Sequence, residues 1–302
     1  MSEWVVEYCE DSFAELKVIP DGEFDVVLTD PPYNEHVQAN QISGTDVARN
    51  GGGIGVPHIE LPFAPLSSYG FALDLVRVAK RWALSFCAVE DFGEFKRMVS
   101  DAYVRGGIWY KPNAQGQMTG DRPAACYEGI SIMHATGKKV WNGRGSYGLW
   151  PCNGTRGEKD RHPNQKPLAL CLKLVALFSN RGETVFDPFC GSGRIGEACV
   201  LLGRNYVGLD YPEHDAVRVV RDRDGDKWVR RKITVREDWV AKARDRLRAA
   251  EAMTGWSDED ALKLCTAKKS EILELDVYAP TERVFKSCMP VRVERFQQIA
   301  LL

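Results

Sequence analysis

Residues 184–196 read T-V-F-D-P-F-C-G-S-G-R-I-G: a short apolar run ends on an acid, passes through a glycine-rich turn and enters an apolar, helix-competent stretch. A strand that feeds through a tight turn into a helix is half of a βαβ unit, and such units assemble around a mostly parallel sheet. The rest of the chain repeats the alternation. Strand-like segments lie at 5–8, 24–28, 82–88, 106–110, 129–134, 184–186 and 206–209, and helix-like segments at 11–17, 71–81, 92–99, 167–179 and 195–202. The helix at 71–81 is read from Phe71, Leu75, Val78 and Trp82, which stand near helical spacing. The helix at 167–179 opens on a proline, where a missing N–H costs little.

Three segments interrupt this rhythm. Residues 34–66 carry Gly51-Gly52-Gly53 and several prolines, and read as a long mobile loop. Residues 137–161 are rich in glycine, bases and aromatics (Trp141, Tyr147, Trp150), and residues 216–236 form a charged insertion expected to be a β-hairpin around Asp224-Gly225. The pattern gives one domain at 1–250 and an extension at 251–302, in which only 258–269 looks helical.

Bulk properties narrow the function. A net charge of -2 excludes a uniformly basic nucleic-acid binder, yet residues 138–166 hold seven bases against two acids, which suits a polyanion touching one face. The chain shows no apolar run of about 18 residues and no signal-like N-terminus, so a cytoplasmic location is expected. Nine cysteines without a C-x-x-C pair suggest free thiols and no metal site.

The glycine turn contains a formal G-x-G-x-x-G, Gly191 to Gly196, with Asp210 at the end of the next strand. That fits a nucleoside cofactor, including a dinucleotide, with the acid on the ribose hydroxyls. No Gly-Lys-Ser/Thr follows, so a phosphate P-loop is excluded. Asp187-Pro188-Phe189 leaves less room for a pyrophosphate and suits a ligand with a positive amino group, such as S-adenosylmethionine. A second strand, Val26-Val27-Leu28, ends abruptly on Asp30-Pro31-Pro32-Tyr33, where prolines stiffen the chain and supply no N–H.

Asp30-Pro31-Pro32-Tyr33, then His162-Pro163-Asn164-Gln165-Lys166-Pro167, then Phe186 to Gly193 resemble, in this order, the β-arrangement amino-DNA methyltransferases. Residues 108–113, 127–130 and 203–210 are similar to further strands of that family, and 238–247 to its final helix. The resemblance implies a Rossmann-like class I methyltransferase fold, circularly permuted in motif order, with a small DNA-recognition insertion at 137–161. It implies transfer of a methyl group from S-adenosylmethionine to an exocyclic amine of a flipped base in double-stranded DNA, as in restriction-modification enzymes, without a metal.

Asp30 and the Pro31 carbonyl would accept the two amine N–H bonds, with Pro32 stiffening the turn and Tyr33 stacking on the base. Asp187, Phe189, Gly191 and Gly193 would line the methionine end of the cofactor, Lys166 would face its carboxylate, Asp210 its ribose, and Asp11 its adenine amine. Asp11 reads equally as a helix cap. Arg194-Ile195 departs from the family, where two threonines are usual. Asp at the first motif position favours adenine N6, with cytosine N4 the alternative. A dinucleotide-dependent oxidoreductase and a catalytically silent DNA-binding relative are rivals of other classes. Family members often form homodimers.

Overall fold

The computed structural model describes residues 2–33, 68–114, 116, 123–154, 165–211, 214–224, 227–253 and 256–266, with side chains of 214–237 outside the description. The 34–66 loop, His162-Pro163-Asn164 and the chain beyond Thr266 therefore lie outside the described residues.

The elements run β1 (Trp4–Tyr8), α1 (Ser12–Val18), β2 (Phe24–Thr29), α2 (Phe71–Val78), β3 (Ala79–Cys87), α3 (Phe92–Val99), β4 (Tyr103–Tyr110), β5 (Tyr127–His134) and β6 (Leu149–Pro151). They continue with α4 (Leu168–Phe178), β7 (Thr184–Asp187), α5 (Arg194–Leu201), β8 (Asn205–Asp210), β9 (His214–Asp224), β10 (Lys227–Glu237), α6 (Trp239–Glu251) and α7 (Asp258–Lys263). Eight strands form one sheet in the order β1-β8-β7-β2-β3-β5-β4-β6, in which β5 alone runs against the others. The antiparallel pair β9–β10 is the expected hairpin and forms its own two-stranded sheet.

The period of two along β2 explains the layering. Val26 and Leu28 pack into a core shared with α4, α5 and α6, while Val27 packs into a second core with Leu16 of α1, Phe71 and Leu75 of α2 and Phe95 of α3. Val26, Val27 and Leu28 are all buried, as a central strand covered on both faces requires. α4 (LALCLKLVALF) is apolar almost all round and correspondingly buried from Leu170 to Phe178. Among the described residues no helix is long and apolar enough to cross a membrane.

Three expectations need correction. The helix expected at 71–81 ends at Val78, because Ala79 already pairs with Phe24 in the β2–β3 register. Trp82 is a buried strand residue, as the strand read at 82–88 has it, and β3 begins three residues before it. The aromatic segment at 137–161 is partly structural. Trp150 lies on β6 and is buried against Gly107, where a Cβ would fall 2.5 Å from the indole. Trp141 packs edge-on against Phe178, with ring centroids 5.0 Å apart. Tyr147 is the one aromatic of the three that stays exposed. Finally, the compact unit reaches Thr266, sixteen residues past the expected boundary at 250. The reason is Arg204, fully buried, whose guanidinium donates to Ser179 O (2.8 Å), Leu202 O (2.8 Å) and both carboxylate oxygens of Asp258 at the start of α7.

Candidate active site

The chain leaves β2 toward β3 and leaves β7 toward β8, in opposite directions across the sheet, so a crevice opens at the carboxyl ends of β2 and β7. Asp30 follows the last residue of β2, and Asp187 is the last residue of β7. Thr29 Oγ1 donates to Asp187 Oδ1 at 2.7 Å and couples the two strand ends.

On the β7 side, Asp187 is saturated. Oδ1 also accepts from Phe189 N (3.2 Å), and Oδ2 accepts from the buried Tyr206 hydroxyl (3.3 Å). Burial, with the Asp210 and Asp30 charges behind it, pushes this carboxyl up to about 7 against the Thr29 and Phe189 hydrogen bonds. The turn that follows needs glycine at two places: Gly191 has φ +48° and Gly193 φ +75°. A Cβ on Gly193 would lie 2.8 Å from Ala243 Cβ, so the turn is held hard against α6. Gly191 N donates to Asp210 Oδ2, and Tyr211 N donates to Asp210 Oδ1 at 2.7 Å. Phe189 is half-buried and meets the Phe13 ring at 4.9 Å. Asp11 caps α1, with Oδ1 accepting from Phe13 N (2.9 Å) and Ala14 N (3.2 Å), which satisfies the cap reading directly.

On the β2 side, Asp30 Oδ2 accepts from Lys166 Nζ at 2.5 Å, whereas Asp30 Oδ1 is buried with no hydrogen-bond partner among the described residues. Lys166 is itself buried and lies 3.4 Å from Glu128 Oε2. Glu128 accepts from the Tyr33 hydroxyl (2.8 Å) and from Lys111 Nζ. Burial pushes the Glu128 carboxyl up, but Lys166 and Lys111 outweigh it and hold it down at about 2. Burial likewise lowers Lys166, and Asp30 with Glu128 outweigh it, so the ammonium is raised and stays charged. Asp30 is raised by burial first, with Lys166 opposing. A small cavity is lined by Tyr33 together with Pro31, Pro32, Tyr69, Phe86 and Phe95.

The structure thus brings Asp30, Pro31, Pro32 and Tyr33 beside Asp187, and groups Phe189, Gly191, Gly193 and Asp210 around the neighbouring turn. It moves Lys166 away from its expected place: the side chain faces Asp30, while its neighbour Gln165 faces the glycine turn and accepts from Ser192 Oγ at 3.0 Å. Glu128, Lys111 and Thr29 join the site without a role assigned from the sequence, where Lys111 and Glu128 fall within the similar strands at 108–113 and 127–130. The end of β4 delivers Lys111, and the reversed direction of β5 delivers Glu128. Its first residues and the last of β4 both reach the carboxyl edge, with Trp109 opposite Glu128 in register. The sequence signal was a lone acid at the head of an otherwise apolar strand, Y-E-G-I-S-I-M-H. Among the described residues no group of three or more His, Cys, Asp and Glu is placed to hold a metal ion.

Similarity to known proteins agrees with this geometry. The DNA methylase family model (N6_N4_Mtase) matches residues 24–221, which include both strand ends and the glycine turn. The type II methyltransferase M.HinfI of Haemophilus influenzae is 26% identical over 230 residues, 66% of this chain and 63% of that protein. This chain therefore spans less than two thirds of that relative's length. The type II methyltransferase M2.MboI of Moraxella bovis is 44% identical over 50 residues, 17% of this chain and 18% of that one. A solved PvuII DNA methyltransferase, described as cytosine-N4-specific, superposes with a TM-score of 0.55 at 13% identity, covering 86% of this chain and 90% of its own. At that identity the likeness speaks for the fold.

Proposed function

The chain belongs to the DNA methylase family, and from that membership we propose that it transfers a methyl group from S-adenosylmethionine to the exocyclic N6 of an adenine flipped out of duplex DNA. The observation that carries the reading is the Asp30 carboxylate, one oxygen tied to Lys166 and the other buried without a partner at the sheet's carboxyl edge. A buried orphan acceptor costs free energy unless a ligand donates to it, and an exocyclic amine is such a donor.

The residues of the turn fit the cofactor. Gly191 and Gly193 hold backbone conformations that only glycine takes easily, and a Cβ at Gly191 would have Asp210 Oδ2 as its nearest neighbour, 3.9 Å away. The backbone there is open to close approach by a ligand. In this reading Asp210 at the tip of β8 would take the ribose hydroxyls, Asp187 and Phe189 the methionine end, and Asp11, whose Oδ1 also caps α1, the adenine. When bound, S-adenosylmethionine supplies a methyl group already activated on a sulfonium.

The remaining work falls to this chain's side chains. An exocyclic amine delocalises its lone pair into the ring. Acceptors on both N–H bonds, Asp30 Oδ1 and the Pro31 carbonyl, favour a pyramidal nitrogen whose lone pair points at the methyl carbon. Once methylated, the nitrogen would have to give up a proton, and Asp30, whose affinity for protons is raised by burial, would be the group beside it to take that proton. Tyr33, its hydroxyl fixed by Glu128, offers a ring for the base. Holding the nitrogen at about 3–3.5 Å from the methyl carbon supplies much of the rate.

Asp at the motif's first position favours adenine, and cytosine N4 is the second substrate to test. An oxidoreductase is supported by nothing beyond the glycine spacing. The deciding experiment incubates the full chain with duplex DNA and S-adenosylmethionine, digests the DNA to nucleosides and reads them by mass spectrometry. N6-methyladenine is expected. N4-methylcytosine alone would overturn the adenine assignment, and no methylated nucleoside would overturn the activity.

A further inference from the structure

Building on the methyltransferase reading, we propose that Lys166 and Glu128 are positioning residues for methyl transfer: Lys166 pins one oxygen of Asp30 so that the other faces the amine, and Glu128 neutralises that lysine while anchoring Tyr33.

Lys166 is enclosed on every side the structure describes. Its Nζ is 2.5 Å from Asp30 Oδ2, 3.4 Å from Glu128 Oε2 and 4.9 Å from the centre of the Phe86 ring. The side chain is 6% exposed, so these contacts are what hold its charge. A carboxylate fixed through Oδ2 has lost its rotation, which leaves Oδ1 aimed in one direction and without a partner. Gln165, not Lys166, turns toward the cofactor half, where it accepts from Ser192 Oγ and from Arg246 Nη2 (3.2 Å). Two consecutive residues therefore serve opposite halves of the crevice.

The charges explain why Glu128 is needed. Methylation places a positive charge on the amine nitrogen next to Asp30. Lys166 alone would oppose that charge at close range in a site poor in water. Glu128 contacts both Lys166 and Lys111, so two ammoniums face two carboxylates and the cluster is neutral before the base enters. The groups facing Asp30 are Lys166, Lys111, Glu128 and Tyr33, with Asp187 behind Thr29.

The test uses the full chain with Lys166→Met, Lys166→Arg and Glu128→Gln. The readouts are single-turnover methyl transfer, calorimetric cofactor affinity, and the titration of Asp30 followed by carboxyl NMR, assigned by its loss in Asp30→Asn. Lys166→Met should slow transfer about 100-fold, the scale of a misplaced reacting group. Its cofactor dissociation constant should stay unchanged, its Asp30 should titrate at higher pH, and Lys166→Arg should recover part of the rate. Glu128→Gln should lower the Asp30 titration and slow transfer about tenfold. If Lys166→Met instead weakens cofactor binding tenfold or more (about 1.4 kcal/mol) and leaves transfer at saturation unchanged, Lys166 is a cofactor ligand and the proposal is overturned. Should Lys166→Met not fold, Glu128→Gln decides by the same readouts, and an unmoved Asp30 titration in it overturns the proposal. A wild-type chain that transfers no methyl group defeats the functional reading, while the NMR titration and calorimetry still judge the network by themselves.

Discussion

Asp30 and Asp187 end adjacent strands, are joined through Thr29, and are both driven toward protonation by burial, yet they are built for opposite purposes. Asp30 has a lysine on one oxygen and, among the described residues, no hydrogen-bond partner on the other. Asp187 has no described cation and fills both oxygens with a hydroxyl from β2, a hydroxyl from β8 and an N–H from its own turn. The first carboxylate is held in place and left unsatisfied. The second is satisfied and ties three pieces of chain together. Burial alone therefore does not separate an acid with an open oxygen from one that braces. The partners do.

The widest separation between the two is expected from truncating each. Asp30→Ala should lower methyl transfer by about 1,000-fold, as loss of a charge-stabilising group in an active site does, with cofactor affinity within about threefold of wild type. Asp187→Ala should leave the Thr29 and Tyr206 hydroxyls unpaired in the core and lower stability by about 3 kcal/mol in denaturant unfolding, with weaker cofactor binding. A full-strength Asp30→Ala enzyme, or an Asp187→Ala protein as stable as wild type, would break the contrast.

A pH experiment sharpens it. In the free protein Asp187 holds its proton up to about 7, against a reference of 3.8. The folded state thus binds that proton more tightly than the unfolded one. The resulting stabilisation is present at low pH and is lost as pH rises through about 7. A cationic cofactor amine prefers the ionised form, so cofactor affinity should fall as pH drops below about 7, approaching tenfold per pH unit. Calorimetry at several pH values checks this. Affinity independent of pH would place the amine elsewhere.

The smallest effect is expected at a third acid, the α1 cap Asp11. Asp11→Ala should cost about 1 kcal/mol through loss of the α1 cap. A parallel loss of cofactor affinity would add the adenine contact to its capping role, and unchanged affinity would leave it a cap alone.

Much of this architecture is legible along the chain because it is local. Val26-Val27-Leu28 announces a strand buried on both faces, Asp30-Pro31-Pro32-Tyr33 announces where it must stop, and Gly191 and Gly193 announce a turn with positive φ. The helix read to 81 runs too far because the helical spacing of Phe71, Leu75, Val78 and Trp82 carries across the point where β3 begins, at Ala79. Trp141 and Trp150 look like a surface for bases until Phe178 and Gly107 are found beneath them.

What the sequence determined by itself, then, is the order of strands and helices, the two strand-end acids and the glycine turn, since backbone conformation and hydrophobic period are properties of neighbouring residues. Only the tertiary structure decided how those acids differ. Glu128 lies 98 residues after Asp30 in sequence and Lys166 another 38 after that. They meet because β5 runs against its sheet and brings its first residues to the same edge. Which oxygen is paired and which is left open depends on contacts between distant segments, and a pattern of adjacent letters carries no record of them.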